Sequence, residues 1–387
     1  MPSTGLRIVV AGTIASVPWH GGWTWVILQY LLGLRRLGHR VVFVDPIQPA
    51  ALRPADSTLL GSTNADYFSA VVGRFGLEDS SALLVSDGTR NTRGLSYGEI
   101  ANAVRDADVL INVSGVLRDE GLLSLACRRV YLDLDPAFTQ LWHAVQGIDM
   151  GFRHHTDFVT IGRAIGTPEC SVPACGLAWI PTWHPVVLER WPPAYGNGGG
   201  ALTTVANWRG YGSIDHQGLF YGQKVHAWRA FMTLPTRTTE RIAVALGIDP
   251  GETVDLQALA ANGWELVDPA LAAATPERYW EFVRASKAEL GIAKSGYVVS
   301  RTGWISDRSI CYLASGRPVL AQETGFSRFL PAGDGLLAFE TMDQLLDRVS
   351  ELNADYPKHA RAARAVAEEH FDSDTVLQQL LARLNLS

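Results

Sequence analysis

The chain reads as an α/β protein of two Rossmann-like halves, each a largely parallel sheet flanked by helices. Three observations predict this. Short β-branched runs alternate with amphipathic stretches along nearly the whole sequence, and parallel strands need such helical crossovers. One Pro/Gly-rich segment, Trp191-Pro-Pro-Ala-Tyr-Gly-Asn-Gly-Gly-Gly200, breaks the alternation near its middle. The length, 387 residues, is that of two domains of roughly 150–200 residues each. The expected division is 1–190 for the N-terminal half, 191–200 for a linker, 201–370 for the C-terminal half and 371–387 for a terminal helix.

Taken in order, 7–12 is a buried strand and 23–37 an amphipathic helix, which Gly38-His39 terminates. The strand at 40–45, closed by Pro46, completes a βαβ unit. Strands follow at 82–85, 109–113 and 130–134, with helices at 97–106 and 119–126, and 158–162 and 179–182 finish the half. Beyond the linker come a strand at 202–206, a helix at 223–233 and a strand at 265–267. Thr275 before Pro276 marks an N-cap with proline in the first turn, opening a helix over 276–290. A strand at 297–300, a helix at 307–315, a strand at 318–322 and a charged helical tail over 343–384 complete the pattern. Ligands in such sheets bind beyond the C-terminal strand ends, so the strand-to-helix loops are where chemistry belongs.

Composition narrows the partners. With 47% apolar and 19% charged residues the chain can build sizeable cores. Its 33 Lys and Arg against 39 Asp and Glu leave a charge of −6, so no general basic field attracts nucleic acid or an anionic membrane. The apolar run at 6–13 is too brief for a signal core or a span, which predicts a cytoplasmic protein with no transmembrane segment. Cys127, Cys170, Cys175 and Cys311 have neither redox nor zinc spacing and read as reduced thiols.

The first loop, Pro18-Trp-His-Gly-Gly-Trp-Thr24, together with Gly38-His39, resembles the Gly-Gly…Gly-His opening of the GT-B glycosyltransferases, especially the retaining group called family four. The segment Ser306-Asp-Arg-Ser-Ile-Cys-Tyr-Leu-Ala-Ser-Gly-Arg-Pro-Val-Leu-Ala-Gln-Glu-Thr-Gly325 is similar to the helix–Gly–x–Pro–Val–strand signature of their nucleotide-binding half. The likeness spans most of the chain and is nearest to bacterial, family-four-like enzymes. It implies two Rossmann-like domains facing a cleft, a nucleotide-sugar donor, no metal or other cofactor, and a final helix crossing back to the N-terminal domain. One departure stands out: the paired glutamates of family four fall, counted back from Pro318, on Gly303 and Cys311. That leaves the choice between retention and inversion open.

A leaving diphosphate without a metal needs backbone N–H groups, helix N-termini and Arg or Lys. Gly21 and Gly22 allow close backbone approach at a helix start. Arg209 and Lys224 are the leading phosphate ligands; the family places an Arg and a Lys in this loop. Arg301, Gly303, Trp304, Asp307 and Arg308 line a second loop, with Arg308 in a helix first turn that disfavours a cation unless an anion binds there, and Glu323 is the other nearby acid. Plain surface charges and ion pairs are the competing account of each.

His20 is the candidate general base, since a histidine in this first loop has that role in many inverting relatives. Asp135 and His154 are the other catalytic candidates, with His155 and Asp157 close by. Asp133-Leu-Asp135 mimics a metal-holding D-x-D, but reads here as a strand end with cap character. Among the 12 tryptophans, Trp208 and Trp304 fall in loops where rings stack on sugars or bases.

The resulting expectation is transfer of a sugar, most simply a hexose, from a nucleotide diphosphate to a small-molecule or glycan acceptor. The rivals are a GT-B-shaped sugar-nucleotide 2-epimerase, and a decayed enzyme that still binds the donor. The donor base, the sugar and the oligomeric state are not written in the sequence.

Overall fold

The computed structural model describes residues 5–196 and 198–386; residues 1–4, Asn197 of the linker segment and Ser387 lie outside them. Eight strands form the first sheet: β1 (Arg7–Ala11), β2 (Arg40–Ile47), β3 (Ser81–Val85), β4 (Thr92–Gly94), β5 (Val109–Val113), β6 (Arg129–Asp133), β7 (Asp157–Thr160) and β8 (Trp179–Pro181). Their order is β4-β3-β2-β1-β5-β6-β7-β8, parallel except where β4 pairs antiparallel with β3. Every residue of β3 and β5 is buried, because helices cover both faces of a parallel sheet.

The second half begins with β9 (Leu202–Asn207) and a small antiparallel hairpin of β10 (Ile214–His216) and β11 (Leu219–Tyr221). Then come β12 (Ile242–Gly247), β13 (Glu265–Val267), β14 (Ala288–Gly291), β15 (Val319–Gln322) and β16 (Leu336–Phe339). The parallel sheet has the order β13-β12-β9-β14-β15-β16. Two Rossmann-like sheets, one after the other along the chain, are the architecture the alternation predicts.

Two expectations fail here. Residues 297–300 are not a strand but belong to the helix Ser295–Ser300, and the helix expected over 276–290 stops at Ala285, before β14. β14 is hard to recognise because Lys287 stands just before it and Glu289 inside it, breaking up the local apolar run. Both are buried with partners: Lys287 Nζ lies 2.8 Å from Glu240 and 2.7 Å from Asn353, and Glu289 pairs with Arg308 at 2.5 Å. Buried charges are tolerated only when paired in this way. β12 is a further strand that the sequence reading passed over.

The helix Gly21–Arg36 follows β1; Arg35 and Arg36 complement the dipole in its last turn, and Gly38 continues at φ 87° as the chain leaves it. Against it packs the terminal helix Ser373–Arg383. A Cβ on Gly33 would fall 2.6 Å from the Leu377 side chain, and Arg36 Nε donates to both Asp374 oxygens at 3.0 Å. Leu377, Leu380 and Leu381 are buried, each contributing about 1.5–3 kcal/mol of apolar burial. The chain end is thereby returned to the first half. Among the described residues no helix is long and apolar enough to cross a membrane.

Candidate active-site cleft

A cleft of about 700 Å³ opens between the C-terminal ends of the two sheets, the position expected of a ligand site in this class of sheet. The loops after β1, β5 and β6 form one wall, and those after β9, β13 and β14 form the other. Of the residues singled out from sequence, His20, Gly22, Asp135, Lys224, Trp304, Asp307 and Arg308 line it. Gly21, His154, Arg209, Arg301, Gly303 and Glu323 do not.

Each absence has a local cause. Gly21 is used for packing between the halves: its Cβ would lie 2.1 Å from the Thr275 carbonyl oxygen, and nearby Trp25 Nε1 donates to Pro276 O at 2.9 Å. Arg209 turns onto Glu252 and Arg301 onto Glu340 at 3.2 Å. Gly303, at φ 76°, threads a turn where a Cβ would fall 2.6 Å from the Phe329 ring. Glu323 accepts from the Gly325 N–H and shapes its own loop.

His154 ends a short turn whose carbonyl accepts from Arg129 Nε at 2.6 Å. Its neighbour His155 is held at both nitrogens, Nδ1 by Gly151 O at 2.8 Å and Nε2 by Asn112 at 3.1 Å, and burial pushes its pKa down to about 4. Asp157 is taken by Arg128 at 2.7 Å. Trp208 is buried and donates to Asp255 at 3.0 Å, so that ring is core material.

The two carboxylates of Asp133-Leu-Asp135 part company. Asp133 is buried and accepts from Thr139 at 2.7 Å, Gln140 at 2.9 Å, Thr160 at 2.7 Å and the Asp135 N–H at 3.0 Å; it pins the loop after β6. Asp135 faces the cleft, where groups of the opposite half meet it. Tyr211 Oη donates to its two oxygens at 2.6 and 2.9 Å, Tyr297 Oη donates as well, and Lys294 Nζ stands 3.8 Å away. Lys294 also donates to the Tyr211 oxygen and lies 4.1 Å from that ring's centroid. Burial lowers the Lys294 pKa, with Asp135 pulling it back. The sequence reading missed Tyr211, Lys294 and Tyr297. Lys294 follows β14, so placing that strand correctly would have put it at a strand's C-terminal end.

Lys224 and Arg308 stand on the same wall. Lys224 is buried and its Nζ donates to the Ile292 carbonyl; burial, with Arg308 and Lys294 adding repulsion, pushes its pKa well below the usual lysine value. Arg308 Nε binds Glu289 at 2.5 Å and Nη1 donates to Val205 O at 2.8 Å, and Glu289 helps hold the guanidinium charged against its burial. The helix Asp307–Ala314 begins here, capped by Ser306, whose Oγ accepts from Arg308 N at 3.3 Å. Cys311, on its buried face, holds a thiol whose pKa burial raises. An anion entering the cleft meets two lysine side chains, a guanidinium and a helix N-terminus.

On the first wall His20 precedes the helix Gly21–Arg36. Its side chain is accessible at the cleft, and partial desolvation lowers its pKa. The loop leading to it is fastened by Asp45, which accepts from Ile14 N at 2.8 Å and Ala15 N at 2.7 Å.

Residues 234–382 match the family described as glycosyl transferase-like. Curated protein sequences offer no match. Among solved structures, an α-glucosyltransferase in complex with UDP and a 13-mer DNA containing a central A:G mismatch is similar at a TM-score of 0.61 and 12% identity, over 98% of this chain and 99% of that one. Anabaena HepE in complex with UDP-glucose gives 0.57 and 10%, over 98% and 99%. A glycosyltransferase from Rickettsia africae gives 0.52 and 10%, over 98% and 97%. The fold is therefore GT-B, and residues 234–382 are similar to the glycosyl transferase-like family.

Proposed function

We propose that the chain is a nucleotide-sugar-dependent hexosyltransferase working without a metal, on a small-molecule or glycan acceptor and with no nucleic-acid partner. The observation that carries this is the convergence of Lys224, Lys294 and Arg308 on one wall of the cleft, opposite the accessible imidazole of His20. The division of labour follows the sheets: residues 201–370 hold the donor, 1–190 the acceptor, 191–200 link them and 371–387 tie the end back. The resemblance of the 306–325 segment supports a family-four-like relation. The free thiols of Cys127, Cys170, Cys175 and Cys311 fit a reducing, cytoplasmic setting.

In the reaction the bond from the anomeric carbon to the diphosphate oxygen breaks, and a bond from the acceptor oxygen to that carbon forms. His20, its pKa lowered, takes the acceptor proton as a neutral imidazole. The departing diphosphate gathers negative charge, which the two lysines and Arg308 stabilise in place of a divalent cation. Gly22 and Asp307, with the helix starts they belong to, complete the donor pocket, and Trp304 stacks on Tyr297 with centroids 4.0 Å apart, giving it an aromatic floor.

UDP is the first nucleotide to try, since the α-glucosyltransferase and HepE above are bound to it. Calorimetry with UDP, GDP and TDP should give one binder, and Lys224→Met should weaken it about tenfold or more, the worth of a charge-assisted hydrogen bond. Incubating the UDP-sugar alone separates transfer from epimerisation. No binding of any of the three nucleotides would sink the proposal.

A further inference from the structure

The acceptor wall lacks the cations that the donor wall carries. Among the described residues, the first half contributes no Lys or Arg to the cleft lining, and its one carboxylate there, Asp135, is occupied by Tyr211 and Tyr297. Arg118 and Arg153, beside this wall, are turned onto Asp149: Arg118 Nη2 donates to its carbonyl at 3.0 Å, and Arg153 pairs with its carboxylate at 3.1 Å. A polyanionic acceptor needs cations to neutralise phosphates or sulfates, and this wall withholds them.

It offers aromatic faces instead. Trp19 is 52% exposed with its backbone at φ 67°, a left-handed conformation that is uncommon for a bulky residue and costs free energy. Among the described residues its ring partner is Tyr67, the two rings meeting in a T shape at 5.0 Å, and the exposed half of the side chain is open to a ligand. Trp23, anchored by its Nε1 donating to Thr13 O at 2.7 Å, and Trp142, packed against Tyr211 at 4.8 Å, extend the surface into the cleft. A strained, half-exposed tryptophan at the mouth of a site is explained by a ligand that lies on it.

We infer that the acceptor is an uncharged, ring-bearing hydroxyl compound that stacks on Trp19, with Trp19 setting acceptor specificity. This rests on the transferase reading above. The shared chemistry is a neutral ring with an apolar face, and two panels separate its sources: neutral oligosaccharides for a sugar face, and simple phenols such as naphthol for an aromatic one. The test follows transfer from the UDP-sugar to each panel, and to heparin and a single-stranded oligonucleotide, at low and high salt. One neutral panel should saturate the enzyme with little salt dependence. Trp19→Ala should raise that acceptor's KM about tenfold, and Trp19→Phe should recover most of it.

Saturation by heparin or the oligonucleotide with steep salt dependence overturns the inference. So does an acceptor KM indifferent to Trp19→Ala, or failure of every neutral compound. Calorimetry with UDP, GDP and TDP keeps the two levels apart. Nucleotide binding alongside any of these outcomes removes only the acceptor assignment, whereas absent nucleotide binding removes the transferase reading beneath it.

Discussion

Lys224 should make the stability of the empty protein depend on pH in an unusual direction. Its pKa is pushed well below the ordinary 10.5 by burial first, then by Arg308 and Lys294. Between the lowered value and 10.5 the unfolded chain carries a proton on this lysine that the folded chain lacks. More protons on the unfolded state means that stability rises with pH across that window, by at most about 1.4 kcal/mol per pH unit for one group. Lys294 adds a smaller share, because Asp135 opposes its desolvation. Lys224→Met keeps the length of the side chain and removes the titration. Urea midpoints taken as pH rises toward the ordinary 10.5 should therefore climb more steeply for the wild type than for the variant. A bound diphosphate supplies the opposite charge, so saturating UDP should flatten the wild-type slope. Binding should also take up protons, visible as a dependence of calorimetric heat on buffer ionisation enthalpy. Equal slopes for the two proteins, with and without UDP, would refute the argument that Lys224 is a desolvated amine that takes up its proton when an anion binds.

Three further outcomes are expected. Arg308→Met leaves the Glu289 carboxylate buried and unpaired, so urea denaturation should show a loss of about 3–5 kcal/mol, much of it recovered in Glu289→Gln/Arg308→Met. Gly21→Ala places a methyl group 2.1 Å from the Thr275 carbonyl oxygen, so the halves must separate and the transfer rate should fall at least about tenfold; a rate near wild type counts against the packing argument. Asp45 is pushed up to about 7 by burial, against the lowering effect of the Ala15 and Ile14 N–H groups, so the folded state keeps a proton that the unfolded state gives up above its ordinary 3.8. Stability from this group is full below the ordinary value and lost as pH rises through about 7, and in melts across that interval Asp45→Asn should lack this decline.

The fold was legible because parallel strands buried on both faces read as near-continuous apolar runs, and β1, β2, β3 and β5 do so, with only Asp45 in β2 and Asn112 in β5 breaking the run inside the strand. β14 did not, since Lys287 and Glu289 write a helix-like pattern on a strand whose charges are neutralised by residues far away in sequence. The same distance hid half of the cleft. Asp135 meets Tyr211 and Tyr297 across separations of 76 and 162 residues, and nothing local to any of the three announces the meeting. Reading from loop position found His20, Lys224 and Arg308, whose strand ends were placed correctly or whose motif was strong.

Which basic residues face the cleft depends on where carboxylates stand, and that is what a linear reading could not weigh. Arg209 and Arg301 sit in loops of the right kind, yet each has a carboxylate within reach on the outer surface, Glu252 and Glu340, and turns to it. Arg308 stays inward because Glu289 is buried behind it. Lys294 has Asp135 at 3.8 Å. Among the described residues Lys224, unlike its two neighbours, has no carboxylate within ion-pairing reach: its amine donates to the Ile292 carbonyl, and Glu289 acts on it only at longer range. Much of the positive charge on Arg308 and Lys294 is thus offset inside the protein, whereas Lys224, held well below the usual lysine pKa by burial, gains its charge as an anion arrives. The charge that an arriving diphosphate draws onto the donor wall is gained at Lys224, so this residue should govern nucleotide affinity more than either neighbour, in an order Lys224 above Lys294 above Arg308 once the stability cost of the Arg308 variant is removed with Glu289→Gln.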